Sequence, residues 1–266
     1  MDDELRRRIA ESLDATPELL PFLPELLADL WTLGCSLETV LDLLRSVPQP
    51  ALDLPPHETR LLDLGCGKGA IAVSAAAELG FRVHGVDGFE PFIDEARRRA
   101  AELGVGELCD LECDDLRATI RTARDYDVVV YASHGPMLDG RPCVEFLREC
   151  VRPGGYMIVD DGFLAAGVRS KPAVYEDYLP RDATVTRLTA HGDVIVREVV
   201  LSVEELGQEN RRLTEKIRRR AEKLAEQRPE AADSIFWYVD NQERECRILE
   251  EIHVPAVWLL QRASSS

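Results

Sequence analysis

The residues best suited to chemistry stand close together in Leu61-Leu62-Asp63-Leu64-Gly65-Cys66-Gly67-Lys68-Gly69-Ala70, where an apolar run ends in alternating glycines. Glycine lets a backbone turn tightly and approach a ligand closely, so a strand turning into a helix here would cradle a bound group. Asp87 closes the next apolar run, Val83-His84-Gly85-Val86-Asp87, 22 positions after Gly65. That is close to the roughly 20-residue interval at which an acidic side chain meets ribose hydroxyls. One carboxylate accepts both hydrogen bonds of a vicinal diol, so the pattern implies an adenosine-containing cofactor.

Gly65, Gly67 and Ala70 also satisfy the looser G-x-G-x-x-A spacing of a dinucleotide site, which keeps a nicotinamide-dependent oxidoreductase as an alternative. Asp63 is the discriminating residue. Two positions before the first glycine, a carboxylate faces a pyrophosphate unfavourably and attracts an ammonium group. S-adenosylmethionine carries such an ammonium, and dinucleotides do not.

For these residues to meet, strands and helices must alternate. RLLDLGCG is followed by the helical stretch IAVSAAAEL, the strand FRVHGVDG and the amphipathic helix FIDEARRRAAEL. CDLECDDL, a helix near RATIRTA, the strand YDVVVYAS, a helix at CVEFLRECV and the strand GGYMIVDDG continue the series. Such alternation requires right-handed crossovers and a mostly parallel sheet covered on both faces. The expected fold class is α/β, a doubly wound core over residues 60–165, with ligands at the carboxyl edge of its sheet.

Residues 1–50 read as three short amphipathic helices, an expected N-terminal helical lid. Leu5, Ile9 and Leu13 mark the first; Leu19, Phe22, Leu23, Leu26, Leu27 and Leu30 mark the second, punctuated by Pro17, Pro21 and Pro24; Ser36 is the expected N-cap of the third, LETVLDLLRS. Residues 51–59 are an expected Pro-rich linker. Residues 166–262 are expected to complete the sheet: 184–202 as two β-type runs around a turn at His191-Gly192-Asp193, about 203–251 as a helical insertion, and VPAVWLLQR as a last strand. Residues 263–266 are an expected flexible tail.

Composition narrows the partners. The chain has 266 residues, 45% of them apolar, which suffices for a sizeable core. Asp plus Glu total 49 against 32 Lys plus Arg, a formal net charge of −17 that repels phosphate backbones, so nucleic acid is an unexpected partner. ENRRLTEKIRRRAEK is locally basic, but its interleaved acids and helical period read as a solvated charged face. No run approaches the ~18 apolar residues of a membrane span, and MDDELRRRIAE lacks the apolar segment of a secretory signal. Seven cysteines, at 35, 66, 109, 113, 143, 150 and 246, are an odd number without an export signal, which suggests buried thiols and a cytoplasmic location. Cys109 and Cys113 lack partners at zinc-site spacing, so no metal is expected.

Residues 60–165 resemble the class I S-adenosylmethionine-dependent methyltransferases. LLDLGCGKG is similar to that family's first motif, and the resemblance implies that Asp63, Gly65, Cys66, Gly67 and Gly69 surround the methionine part of the cofactor. GVDGFEPFIDEAR resembles the second, with Asp87 on the ribose and Gly88 and Phe89 beside adenine. CDDLR resembles the third, in which an acidic side chain takes the adenine amino group and the next backbone amide meets the ring. Asp115-Leu116 fits best, and Asp114 is an equally acidic neighbour. YDVVVYASHG resembles the fourth, whose strand-end residues, here Ala132, Ser133 and His134, line the cofactor and methyl group, and VRPGGYMIVDD resembles the turn and strand that follow.

The resemblance implies in-line methyl transfer from S-adenosylmethionine to a small-molecule acceptor, leaving S-adenosylhomocysteine, with the protein supplying alignment and water exclusion. His134 is the candidate base or substrate contact, since imidazole titrates near neutrality. Asp160 and Asp161 at the end of the fifth strand are candidate substrate contacts, Tyr175 and Tyr178 candidate pocket residues, and Cys66 and Lys68 serve space and solvation. The helices of 203–251 would cover the acceptor or join a homodimer. A protein methyltransferase and a non-catalytic S-adenosylmethionine-binding scaffold are the remaining alternatives.

Overall fold

The computed structural model describes residues 3–47 and 55–264. Residues 51–54 of the expected linker and 265–266 of the expected tail lie outside the described residues. The chain forms two compact units, Thr32–Val200 with Pro255–Ser266 and Met1–Trp31 with Leu201–Val254.

In chain order the elements are α1 (Asp3–Ser12), α2 (Leu23–Leu26), α3 (Leu37–Ser46), β1 (Arg60–Leu64), α4 (Ala70–Leu79), β2 (Arg82–Asp87), α5 (Glu90–Glu102) and β3 (Cys109–Cys113). They continue with α6 (Leu116–Thr122), β4 (Tyr126–Ala132), the two-residue strands β5 (Met137–Leu138) and β6 (Arg141–Pro142), α7 (Cys143–Cys150) and β7 (Val151–Leu164). The last are α8 (Arg181–Leu188), β8 (Val194–Val200), α9 (Val203–Gln227), α10 (Ala232–Ile252) and β9 (His253–Gln261).

The larger unit is a mostly parallel seven-stranded sheet in the order β3-β2-β1-β4-β7-β9-β8. β1 pairs in parallel with β2 and β4, β2 with β3, and β4 with β7, whereas β8 runs antiparallel to β9. Every residue of β4 is buried, as a central strand covered on both faces requires. α4 is almost all small or β-branched apolar residues, and seven of its ten positions are buried, so it lies close against the sheet. The chain runs outward from β1 to β3 and then crosses back to β4. Strand order therefore reverses between β1 and β4, the place where open α/β sheets leave a crevice at their carboxyl edge.

Two expected elements differ. The first β-type run of 184–202 is the helix α8; Thr184, Val185 and Thr186 favour strands locally, but Pro180 fits the position before a first turn and only Leu188 of the helix is buried. His191 consequently stands in a helix-to-strand turn, and Asp193 beside it is buried and paired with Arg148. The leucine-rich run 19–30 is mostly turns around the four-residue α2, because its closely spaced prolines interrupt the ladder of amide donors.

In the smaller unit α9 and α10 pair antiparallel, with Arg218 on Glu243 at 2.5 Å and Asn210 on Glu250 at 3.5 Å. Ile217, Ala221 and Leu224 on α9 and Ile235, Tyr238 and Val239 on α10 are buried apolar residues of the pair. Ser202 caps α9 by accepting from the Glu205 amide at 3.3 Å. The basic stretch of α9 carries pairs such as Arg212 to Glu209 and Arg219 to Glu215, a charged face at helical spacing. Among the described residues no helix is long and apolar enough to cross a membrane.

The amino edge of the sheet is tied by Asp127, which is 3% exposed. Its carboxylate accepts from the Arg60 amide at 2.8 Å and from Arg152 Nε at 2.6 Å, joining β1, β4 and β7. Asp127→Ala leaves an amide and a guanidinium without their acceptor and is expected to lower unfolding free energy by about 3 kcal/mol. Urea denaturation measures this; an unchanged midpoint would show that the tie contributes nothing.

Candidate functional site

At the carboxyl edge β1 must become α4 within five residues. Gly65, Gly67 and Gly69 all take left-handed backbone angles, with φ of +75°, +53° and +75°. A Cβ on Gly65 would fall 1.8 Å from Nε2 of His134, and one on Gly69 would fall 2.8 Å from Cβ of Ala96. Only glycine fits these two positions. The amides of Gly65 and Cys66 both donate to the Val86 carbonyl, at 2.8 and 2.9 Å, which fastens the turn to β2. The Cys66 thiol is buried, with its sulfur beside Gly85, so only its backbone belongs to the turn.

Asp87, at the end of β2, spans the turn. One carboxylate oxygen accepts from the Gly67 amide and the other from the Phe89 amide, each at 2.9 Å. Burial raises its pKa, opposed by the Phe89 and Gly67 amides and by His134. Gly88 is half-buried; the Phe89 ring is buried and meets Phe92 edge-on at 4.8 Å. Asp63, on β1, is 2% exposed. Burial pushes its carboxyl up to about 7, against the single amide of Ala72 and with Asp87 adding to the rise. Among the described residues its Oδ2 has no hydrogen-bond partner.

The two acids after β3 divide their tasks. Asp115 caps α6 by accepting from the Arg117 amide at 2.9 Å and pairs with the Arg117 guanidinium, which holds its pKa below the usual carboxylate range. Asp114 donates its amide to the Asp87 carbonyl at 3.1 Å, and its carboxylate accepts only a 3.4 Å bond from the Thr119 hydroxyl. Leu116 opens the helix and is half-buried.

On the other flank, Ala132 ends β4 buried, and Ser133 follows with φ of +59°. His134 turns back over the glycines, its Nε2 3.0 Å from the Gly65 carbonyl. A carbonyl only accepts, so Nε2 carries the hydrogen there. The imidazole thus leans on the glycine turn.

Asp160 and Asp161 are not a pair of exposed strand-end acids. Successive strand residues face opposite sides of a sheet. Asp160, 5% exposed, accepts from the Ser36 amide at 2.5 Å and the Ser36 hydroxyl at 3.2 Å, and its carbonyl takes the Ser133 amide at 2.9 Å. Burial pushes its carboxyl up to about 6 despite those bonds. Ser36 precedes α3 as its spacing predicts, yet its side chain makes no cap bond, because Asp160 engages it. The segment 33–36 lies along this edge: Leu33 Cδ1 is 3.4 Å from where a Cβ of Gly67 would stand, and Ser133 is 3.7 Å from that of Gly34. Asp161 lies across the strand and accepts from the Tyr178 hydroxyl at 2.8 Å. It keeps part of its surface open, yet burial pushes its carboxyl up to about 7, with Asp160 adding to the rise.

One edge therefore collects Asp63, the glycine turn, Asp87, the backbone of Gly88 and Phe89, Asp114, Ala132, Ser133, His134 and Asp160. Residues 61–155 match the family model described as a methyltransferase domain. Over 78 residues the chain is 38% identical to aklanonic acid methyltransferase DauC of Streptomyces sp. (strain C5), a match covering 29% of this chain and 35% of that protein. The chain spans less than half the length of the first curated relatives it matches. The crystal structure of an S-adenosylmethionine-dependent methyltransferase from Thiobacillus denitrificans, in complex with S-adenosylhomocysteine, superposes with a TM-score of 0.71 at 18% identity, covering 90% of this chain and 97% of that one. That of YjhP from Escherichia coli gives 0.70 at 21% identity, covering 93% and 100%. The seven-stranded sheet and its helices have the class I Rossmann-like fold of these neighbours.

Sequence spacing missed three features of the larger unit. Lys68 is buried rather than solvated, its ammonium 3.0 Å from Glu95 and over the Phe92 ring. The partnership of Ser36 with Asp160 spans 124 positions, and the residues around Asp161 come from five separate segments besides its own strand, so no local pattern announces either.

The Asp63 carboxyl generates a pH signature. The folded chain keeps its proton up to about 7, whereas the unfolded chain releases it near the ordinary 3.8. Across that window the folded state binds more protons, so rising pH destabilises it until the loss is complete above the raised value. Asp63→Asn carries no such charge. The difference in Tm, variant minus wild type, is expected to grow from about pH 5 to about pH 8. A difference independent of pH would mean that Asp63 ionises as an ordinary carboxyl.

Proposed function

We propose that the chain is an S-adenosylmethionine-dependent methyltransferase acting on a small-molecule acceptor and releasing S-adenosylhomocysteine. The observation that carries this reading is the Asp63 carboxyl, buried beside the glycine turn with one oxygen lacking a hydrogen-bond partner among the described residues. Such an atom is costly unless a donor meets it in the working state, and the cofactor ammonium is a donor of the right charge. The residues fit the rest of the group as well. Each oxygen of Asp87 accepts one amide and retains a lone pair for a ribose hydroxyl. Asp114 is the better partner for the adenine amino group, since the Asp115 carboxylate is engaged by Arg117. The DauC name and the S-adenosylhomocysteine in the Thiobacillus neighbour support the same cofactor and a small acceptor.

Bound S-adenosylmethionine supplies a methyl carbon already activated on a sulfonium, so no side chain has to form a covalent bond. The chain's part is to orient and to exclude water. Asp63 and the left-handed glycines hold the amino-acid end, Asp87 and Asp114 fix the adenosine, and Ser133 and His134 border the methyl. His134, with Nε2 directed at Gly65, serves to seat the loop after β4 against the cofactor rather than to take a proton from the acceptor. A homodimer through residues 203–251 is consistent with the exposed Phe236 and Trp237 on α10, and light scattering tests it.

Calorimetric titration with S-adenosylmethionine and S-adenosylhomocysteine tests the function, and no binding of either at high micromolar concentration would end it. Asp87→Ala and Asp114→Ala are each expected to weaken binding about tenfold or more, the loss of a charge-assisted hydrogen bond. Asp115→Ala is expected to lower stability by about 1 kcal/mol through the lost cap while leaving affinity nearly unchanged. The reverse ranking of Asp114 and Asp115 would move the adenine contact.

A further inference from the structure

Asp63 stands at the carboxyl edge, where ligands enter such a sheet, yet it is 2% exposed. Residues 33–36 lie over it. Leu33 rests on the glycine turn, its Cδ1 3.4 Å from where a Cβ of Gly67 would stand. Gly34, with φ of +95°, bends the chain against the Ser133 side chain. Burial drives the Cys35 thiol far above its ordinary value, and both Asp160 and Asp63 add to the rise, so the sulfur sits near each carboxylate. The segment thus crosses from the end of β1, past the loop after β4, to β7.

Little holds this segment in place. Residues 32–36 belong to neither helix nor strand. Among the described residues, no backbone–backbone hydrogen bond joins 32–35 to the rest of the chain. Ser36 supplies the fastening, its amide and its hydroxyl donating to the two carboxylate oxygens of Asp160 at 2.5 and 3.2 Å. The Asp160 carbonyl meanwhile takes the Ser133 amide at 2.9 Å. One residue of β7 therefore grips both borders of the methionine end, segment 33–36 by its side chain and the loop after β4 by its backbone. Bonds to a buried carboxylate are about twice as strong as neutral ones, so the grip is firm. A segment with so few other bonds opens once that grip is released.

We propose that residues 33–36 are a gate over the methionine end of the cofactor site, and that Asp160 is its latch, acting through Ser36. The inference rests on the methyltransferase reading above and adds how that site admits and releases its ligand. With the gate shut, no ammonium reaches the Asp63 Oδ2 from solvent, so loading requires residues 33–36 to swing away. Shut again over S-adenosylmethionine, the segment keeps water from the sulfonium end while the acceptor is aligned. Asp160 is a positioning residue, since it touches the gate and not the reacting atoms. The latch is made in the free and the loaded protein alike. Weakening it therefore quickens entry and exit together and leaves affinity nearly unchanged. A side chain that contacts the cofactor behaves otherwise, because its loss speeds release alone and raises Kd by the same factor.

The test uses the full chain and S-adenosylhomocysteine, with stopped-flow fluorescence reading both rate constants and calorimetry reading Kd. Asp160→Asn is expected to raise the association and dissociation rate constants each about tenfold, with Kd shifted by about threefold or less. Ser36→Ala, which keeps the amide bond, should move both in the same direction by a smaller factor. A second measurement shuts the gate instead. A Cβ on Gly34 would stand 3.7 Å from that of Ser133, inside the range a disulfide spans. The double variant Gly34→Cys with Ser133→Cys, when oxidised, should exchange S-adenosylhomocysteine about a hundredfold more slowly than the same protein reduced. Comparing one variant in two redox states cancels any strain at residue 34, and peptide mass spectrometry verifies the cross-link. Unchanged rates in Asp160→Asn and Ser36→Ala overturn the proposal, as does release that quickens while association stays constant. Equal exchange in the oxidised and reduced double variant overturns it as well, and so does failure of the two thiols to join. Should Asp160→Asn not fold, Ser36→Ala and the double variant decide. Wild-type protein that binds no S-adenosylhomocysteine overturns the underlying function, and the gate with it.

Discussion

One carboxylate holds the working edge together. Asp87 accepts the Gly67 amide on one oxygen and the Phe89 amide on the other, so the glycine turn after β1 and the helix start after β2 are fastened to a single planar group. A parallel strand can turn into its crossover helix this abruptly only if the backbone enters the left-handed region and its freed amides find acceptors. Gly65, Gly67 and Gly69 meet the first need, and Asp87 with the Val86 carbonyl meets the second. The remaining parts follow from that anchor. His134 has room over Gly65 because that residue lacks a side chain, and the Asp87 carbonyl takes the amide of Asp114, which aligns the third strand end with the first two.

Two sets of carboxylates in the larger unit stand in opposite electrostatic surroundings. Asp115 and Glu198 sit beside arginines and titrate below their ordinary range. Burial pushes Asp63, Asp160 and Asp161 upward, to about 7, 6 and 7. The formal charge of −17 counts both alike. Near neutral pH the second group is partly protonated, so this edge is less negative than its composition suggests. A cationic ligand would recharge it on arrival, since a nearby positive group favours the ionised form.

What was legible in the sequence is what depends on neighbours along the chain. The apolar run into glycines, the acid closing the next strand and the uninterrupted apolar β4 all report local requirements of a doubly wound sheet, and each is where the spacing puts it. The choice between Asp114 and Asp115 was open because both are acidic; it turns on which of them caps α6, a matter of side-chain direction. α8 was misread because β-branched residues report a preference that its proline start and its position over the sheet override. Ser36 gave no signal, since its partner is distant in sequence and a single chain carries no mark of such encounters.

β7 carries two adjoining acids that answer to different neighbours: Asp160 to the segment 33–36, and Asp161 to Tyr178. Alternation along a strand makes this separation automatic. The surroundings of residue 161 can therefore change on one face while residue 160 continues to brace the segment 33–36 on the other. Independence of this kind needs no new loop or domain. It follows from the two faces of a single strand.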